Sequence, residues 1–201
     1  MTSKRWLEIG GLLAGAILIV FGIVSVVMSV DARTTVRDSL AAEQIYFGEK
    51  EDPAVAKHAS QWAGQQVKTG EQARAFAEIM REHTLSGTGG LTYAQLGRYA
   101  AADGKGDDGA GGTNDATKAK TDEESGQPVS NPSRELWVTE TALSTALNTS
   151  YMAENLALFG MVVGFALLLA GVGFIILAIT VLGPRKSEAP AASSAATPVA
   201  G

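Results

Sequence analysis

Two long apolar runs constrain the fold of this chain more than any other feature. They occupy residues 9–30 and 156–182, and neither contains a charged side chain. Because an α-helix rises about 1.5 Å per residue, each run is long enough to cross the roughly 30 Å hydrocarbon core of a membrane. The sequence therefore predicts an all-α membrane protein with two transmembrane helices and a small helical extracytoplasmic domain between them.

The placement of Lys and Arg predicts the orientation of these spans. Lys4, Arg5, Arg185 and Lys186 flank the two runs at the chain ends, whereas the segment between the runs carries 12 Lys and Arg against 19 Asp and Glu. Short flanks rich in Lys and Arg stay in the cytoplasm, and long segments translocate largely regardless of their charge. We therefore expect a multi-pass protein of the cell membrane with both termini in the cytoplasm.

The first run has an alternative interpretation as a signal peptide, with a cleavage site at Val30-Asp31-Ala32. The apolar core of a secretory signal is only about 7 to 15 residues long, and this run is longer. We therefore interpret it as a retained span, although cleavage stays open as an alternative. The acidic middle segment makes nucleic acid an unsuitable partner, because phosphates repel carboxylates.

Capping residues predict short helices after the first span. Asp52 and Pro53 are typical of a helix start, since Asp accepts free N–H groups and Pro fits the first turn. A further helix is predicted to start at Thr69-Gly70, where apolar residues recur at spacings of three and four. That stripe comprises Ala73, Phe76, Ile79 and Met80.

The rest of the middle segment alternates between predicted helix and predicted loop. Thr92 followed by Gln95 has the form of a capping box and predicts a third short helix. Residues 102–129 contain almost no large apolar side chain, so we expect a disordered loop there. Asn131 and Pro132 then predict the start of a helix that runs without a break into the second span.

These patterns divide the chain into seven predicted regions. They are a cytoplasmic N-terminus at 1–8, transmembrane helix 1 at 9–30, an extracytoplasmic helical region at 31–101, a disordered acidic and Gly-rich loop at 102–129, an extracytoplasmic helix at 130–155, transmembrane helix 2 at 156–182 and a disordered cytoplasmic tail at 183–201.

Three stretches of sequence carry a resemblance to a known family. They are DARTTVRDSLAAEQI at 31–45, LTYAQLGRYA at 91–100 and QPVSNPSRELWVTETALSTALNTSYMAENLALFG at 127–160. With the two apolar runs, they resemble a group of two-span membrane proteins from high-GC Gram-positive bacteria. Some members of that group carry the label aromatic ring-opening dioxygenase. The resemblance implies the two-span architecture over nearly the whole chain outside the loop and the tail.

The residues do not support the chemistry that this label names. Non-haem iron in such oxygenases is commonly held by two His and one carboxylate. The only histidines are His58 and His83, in different predicted helices, with Glu78 and Glu82 as the nearest carboxylates in sequence. We interpret both histidines as solvated helix residues. The sequence therefore predicts neither a catalytic site nor a bound metal or cofactor.

An Asp-rich stretch of the loop resembles a calcium-binding loop in composition only. Asp103, Asp107 and Asp108 could supply oxygen ligands, but Lys105 stands where the pattern needs another ligand. The chain also contains no cysteine, so it has no disulfide, no thiol nucleophile and no thiolate metal site.

The glycines of the spans give the strongest site prediction. Gly11 with Gly15, and Gly160 with Gly164, form small-xxx-small patterns, which let helix backbones approach closely in lipid. The two patterns lie toward opposite faces of the membrane in an antiparallel pair, so we expect at least one to stay free for another chain.

Other polar features near the spans carry less information. No charged residue lies inside either span, so a channel or transporter acting alone is not indicated. Glu140, Glu154 and Asn155 are interpreted as marking the outer membrane edge, and Trp62 and Trp137 as core residues.

Two hypotheses for the function follow from these observations. The first is a non-enzymatic scaffold or accessory subunit that displays a helical domain outside the membrane and binds a membrane-protein partner, or itself, through the spans. The second is an extracytoplasmic ligand-binding sensor that signals through a partner. A ring-opening dioxygenase is a more distant third.

Overall fold

The computed structural model describes residues 2–182 and shows a mostly helical chain. Four α-helices and one pair of short strands make up most of its regular structure. A 3₁₀ turn at Ser60–Trp62 follows α2, and a π-helical turn at Ala178–Leu182 continues α4. The helices are α1 (Thr2–Ala42), α2 (Pro53–His58), α3 (Gly70–Gly87) and α4 (Pro132–Leu177), and the strands are β1 (Tyr99–Ala100) and β2 (Gly112–Thr113). The all-α prediction is therefore corrected to a mostly helical fold with one small antiparallel ladder.

Both apolar runs lie inside single long helices, α1 and α4, which are long and apolar enough to cross a membrane. Only 11% of the most apolar window of α1 and 17% of that of α4 is buried within the structure. The core helix of a water-soluble protein would instead be mostly buried. Both helices continue beyond the runs, as predicted, because no Pro or Gly interrupts residues 31–42 or 133–155.

The contacts of the described residues divide into two compact units. One comprises residues 2–24 and 163–182, and the other comprises residues 25–162. The core of the second unit is formed by side chains of α1, α2, α3 and α4 and of the connections between them. Its largest members are Leu40, Phe47, Val55, Val67, Ile79 and Leu147.

Aromatic and small residues complete this core. The Phe47 ring stacks on Trp62 at a centroid distance of 5.9 Å and meets the edge of Phe76 at 5.7 Å. Ala73 and Ala77 of α3 are buried, and such small side chains let helices pack closely. Trp137 is also buried, with its indole N–H donating to the Leu91 carbonyl at 3.0 Å. It thus lies in the core, as predicted, whereas Trp62 is only half-buried.

The predicted starts of α2 and α3 are confirmed. The Asp52 carboxylate accepts the Ala54 N–H at 2.9 Å, and Pro53 is the first residue of α2. At α3 the Thr69 hydroxyl accepts the Gln72 N–H at 3.3 Å, while the Gln72 side chain accepts the Thr69 N–H. These contacts satisfy donors that have no partner within the helix itself.

The third short helix predicted at Thr92 is wrong. The Gln95 side chain accepts the Thr92 N–H at 2.9 Å, but the chain makes only a turn there and enters β1 at Tyr99. The reason lies at Gly97, whose Cα packs against the backbone of Gly112 and Thr113 and leaves no space for a Cβ. This tertiary contact overrides the local helix signal.

The segment 102–129, predicted to be disordered, is instead a hydrogen-bonded loop. Backbone bridges join Ala101 to Ala119 and Thr121 to Pro128, in addition to the β1–β2 pair. Aspartates within the loop accept nearby backbone N–H groups, as Asp103 does from Lys105 and Gly106, both at 3.0 Å. The prediction of disorder rested on the lack of large apolar side chains. It took no account of polar side chains that order a loop by hydrogen bonding to its backbone.

Asp108 holds the centre of this loop. Its carboxylate accepts three backbone N–H groups, from Gly97, Ala110 and Gly112, each at 2.8 Å. Asn131 also contacts Gly97, because its side-chain amide donates to the Gly97 carbonyl at 2.9 Å. The Asn131 side-chain oxygen accepts the Ser133 N–H and so caps α4. The loop is thereby joined to the start of α4. The predicted tail at 183–201 lies outside the described residues.

Candidate functional site

The predicted packing glycines Gly11 and Gly15 of α1 face α4. A Cβ built on Gly11 would lie 3.1 Å from the Cβ of Ala178, and one built on Gly15 would lie 2.7 Å from the Gly171 carbonyl oxygen. Gly10, the neighbour of this pair, has no atom within 4 Å of such a Cβ. The two backbones therefore approach closely only along one side of α1.

The other two predicted glycines, on α4, face α1. A Cβ built on Gly160 would lie 2.7 Å from the Ser29 hydroxyl, and one built on Gly22 would lie 2.8 Å from the Gly164 carbonyl oxygen. Ser25 also donates its hydroxyl to the Gly160 carbonyl at 2.8 Å. Each glycine pattern thus packs against residues of the opposite helix that lie outside the other glycine pattern.

This arrangement corrects the expectation that one glycine pattern stays free for another chain. Gly11 and Gly15 meet the stretch around Gly171, and Gly160 and Gly164 meet the stretch from Gly22 to Ser29. The contacts of Gly15 include the large side chain of Ile175 as well as Gly171, and the contacts of Gly160 are the serines Ser25 and Ser29. Matching one glycine pattern to the other therefore did not reveal these partners.

Sequence reasoning missed the role of Glu154, which is a buried ion-pair centre. Its Oε1 accepts from Arg37 Nε at 2.9 Å, Arg37 Nη2 at 2.7 Å and Arg33 Nη2 at 3.2 Å. Its Oε2 accepts the Gly70 N–H at 2.5 Å. A single carboxylate therefore joins α1, the first residue of α3 and α4.

The environment of Glu154 favours its charged form. Burial opposes ionisation, but the Gly70 N–H and the guanidinium groups of Arg37 and Arg33 outweigh it and hold the pKa below the ordinary 4.5. A sequence signal for this centre exists. Arg33 lies three residues after the first run and Glu154 two residues before the second. Antiparallel spans therefore place both residues just beyond the same end of the two apolar runs.

A cleft of about 220 Å³ opens beside this centre. Its lining combines charged groups with an apolar residue of the second run. The lining residues are Arg33, Arg37, Thr69, Gly70, Glu71, Tyr151, Glu154, Asn155 and Leu158.

A larger and mostly apolar groove, of about 670 Å³, lies among α1, α3 and α4. On α4 it is lined by Leu143, Ala146, Leu147 and Ser150, which follow the i, i+3, i+4, i+7 spacing of a helix-packing face. The other lining residues are Ser39, Leu40, Glu43, Ile45, Phe76 and Met80. We call this feature the apolar groove.

The two histidines pair with different carboxylates. His58 Nε2 lies 2.8 Å from Glu82, which Lys57 also contacts, and His83 Nε2 lies 2.8 Å from Asp52. These contacts lower the pKa of Glu82, through Lys57 first and His58 second, and that of Asp52, through His83 first. Within the described residues, no three His, Asp or Glu side chains form a group that could hold a metal ion.

The aspartates of the candidate calcium loop are directed to the protein's own donors. Asp107 accepts from the Thr113 hydroxyl at 2.7 Å and pairs with Lys118 at 3.0 Å. Asp103 and Asp108 accept backbone N–H groups, as described above. Their geometry is that of loop-forming turns.

No protein-family model, curated protein or solved structure matches the chain. By its fold it is a mostly helical protein with two helices that could cross a membrane. Its two most distinctive surfaces are the apolar groove and the cleft beside Glu154.

Proposed function

We propose that the protein is a non-enzymatic accessory or scaffold subunit of the cell membrane. In this proposal α1 and α4 cross the membrane, both termini are cytoplasmic, and the unit at 25–162 presents its binding surface outside. The observation that carries the proposal is the apolar groove, because an exposed apolar surface of this kind marks an interaction site.

The occupant that we propose for the groove is an amphipathic helix of a second membrane protein. The α4 side of the groove has the residue spacing of a face that packs against another helix, and helix-in-groove binding uses that spacing. This face comprises Leu143, Ala146, Leu147 and Ser150. Leu143 is half-exposed, which leaves apolar surface for a partner to cover.

The charge of the groove rim favours a basic partner. Glu43 lies at the groove, and the segment between the two runs carries 19 acidic against 12 basic residues. A second copy of the chain that docked through the same groove would bring the Glu43 carboxylates of the two copies to one interface, which is unfavourable. The proposed partner helix therefore carries a basic residue toward Glu43.

Blocking the groove tests the proposal. Ala146 is exposed and lines the groove, so Ala146→Trp fills the space without entering the core. Ala142 is an exposed alanine one turn earlier on α4 and does not line the groove, so Ala142→Trp is the matched control. A photoreactive amino acid at Leu143 then reports the occupant in intact cells.

A protein cross-link of one defined mass that survives Ala142→Trp and is lost with Ala146→Trp would support the proposed partner. A cross-link to a small apolar molecule would favour the sensor hypothesis, since about 670 Å³ falls within the usual range for ligand sites of about 300–1,000 Å³. An unchanged cross-link in Ala146→Trp would exclude the groove as the binding site of the partner. Stoichiometric iron in the purified protein would overturn the non-enzymatic part and return attention to the dioxygenase hypothesis.

A further inference from the structure

The cleft beside Glu154 lies where the helices pass from the apolar runs into the polar segment. Arg33 follows the end of the first run by three residues, or about 4.5 Å of helix rise. Leu158 is the third residue of the second run, and it is half-exposed. With α1 and α4 in a membrane, one side of this cleft would contact headgroups and the other acyl chains.

The cleft keeps hydrogen-bond donors that Glu154 does not use. Glu154 Oε1 receives three guanidinium N–H groups from Arg33 and Arg37, and each guanidinium carries five. Arg33 Nε is buried and has no acceptor among the described residues. The Arg33 and Arg37 side chains keep 31% and 45% of their surface exposed, so an added acceptor oxygen can reach donors that Glu154 does not use.

The charges lining the cleft balance. Arg33 and Arg37 face Glu154 and Glu71, and Glu154 is the partner of both arginines. Glu71 is exposed and forms no ion pair within the described residues. A multiply charged anion would meet this carboxylate unfavourably, whereas a ligand carrying both a phosphate and an ammonium group would complement the cleft.

We propose that the cleft binds the headgroup of a phosphoethanolamine lipid. The phosphate accepts from Arg33 and Arg37, which suit phosphate because guanidinium groups donate in a planar fork. The primary ammonium group pairs with Glu71. The acyl chains pass Leu158 and continue along the surface of α4.

This inference does not depend on what occupies the apolar groove. It rests on the part of the proposed function that places α1 and α4 in a membrane. The cysteine-labelling experiment described below tests that placement separately, so failure of the lipid site and failure of membrane insertion are distinguishable.

Lipid retention by the purified full chain tests the site. The chain is exchanged into micelles containing phosphatidylethanolamine, phosphatidylcholine or phosphatidylglycerol, and native mass spectrometry measures the bound lipid. The variants are Arg33→Gln, which leaves Arg37 on Glu154, and Glu71→Gln, at an exposed position. Lys120→Gln, an exposed cation in the loop, is the control.

We expect preferential retention of phosphatidylethanolamine, and a loss of about tenfold or more in Arg33→Gln, because hydrogen bonds to charged groups are lost. Glu71→Gln should abolish the preference over phosphatidylglycerol, and Lys120→Gln should change nothing. Equal retention of the three lipids, or no effect of Glu71→Gln on lipid preference, would overturn the proposal. The Glu71→Gln result tests the proposal even if Arg33→Gln fails to fold. Competition by inorganic phosphate alone would assign a simple anion site instead.

Discussion

Glu154 shows how one side chain can hold several elements together. The carboxylate accepts from both arginines of α1 and from the first N–H of α3, while its own backbone belongs to α4. The gain from such contacts is offset in part by the cost of burying a charge. Loss of Glu154 is more serious, because the buried Gly70 N–H and the partly exposed guanidinium groups of Arg33 and Arg37 then lose their acceptor.

We expect Glu154→Gln to lower the free energy of unfolding at neutral pH by about 2–4 kcal/mol. This is somewhat less than the usual cost of breaking a fully buried pair, because Arg33 and Arg37 are partly exposed. Thermal unfolding in detergent micelles, followed by circular dichroism, measures the change. Glu51→Gln, at an exposed position of the same domain, is the control and should have no effect.

The same variant should reveal a pH dependence. The folded-state pKa of Glu154 is below 4.5, so its contribution is fully present above about pH 4.5 and is lost as the pH falls through the folded value. The difference between the wild type and Glu154→Gln should therefore shrink in acid. A difference that stays constant down to the acid transition would show that the carboxylate charge contributes nothing.

At the scale of elements, the contact between α1 and α4 depends on where side chains are missing. Gly15 and Gly171 each leave room for the backbone oxygen of the other residue, since either Cβ would lie 2.7 Å from that oxygen. Gly10 and Gly173 lie on the same helices with no atom within 4 Å of their Cβ positions. The close pairs position the helices, and the isolated glycines do not.

Alanine substitution separates these two classes of glycine. We expect Gly15→Ala to destabilise the protein by about 1–3 kcal/mol through overpacking. Gly10→Ala should be neutral or stabilising by up to about 1 kcal/mol, because alanine favours helix more than glycine does. Both substitutions bring the same gain in helix propensity. The difference between their free energies of unfolding in detergent therefore measures the cost of overpacking at Gly15. Equal stability of the two variants would contradict close packing at Gly15.

At the scale of the whole molecule, the proposed orientation can be tested because the chain contains no cysteine. A single cysteine is introduced as Glu123→Cys, in the exposed loop, or as Ser3→Cys, before the first run. In intact cells a membrane-impermeant maleimide should label Glu123→Cys, whereas Ser3→Cys should react only after permeabilisation. Labelling of Ser3→Cys alone in intact cells would show the opposite topology. Labelling of both cysteines would indicate that α1 does not cross the membrane.

The sequence by itself determined the elements whose cause is local. The apolar runs specify two long helices, and Asp52, Thr69 and Asn131 specify helix starts, because capping needs only residues a few positions apart. The four packing glycines were also visible, since their spacing follows the helix period.

Only the tertiary structure decided which distant residues meet. It paired Glu154 with Arg33 and Arg37, more than 100 positions away, and it packed each glycine pattern against residues of the other helix that lie outside the other pattern. It also ordered the loop around Asp108, where backbone N–H groups from three positions converge on one carboxylate. Such contacts depend on the path of the chain in space, which periodicity and composition do not encode.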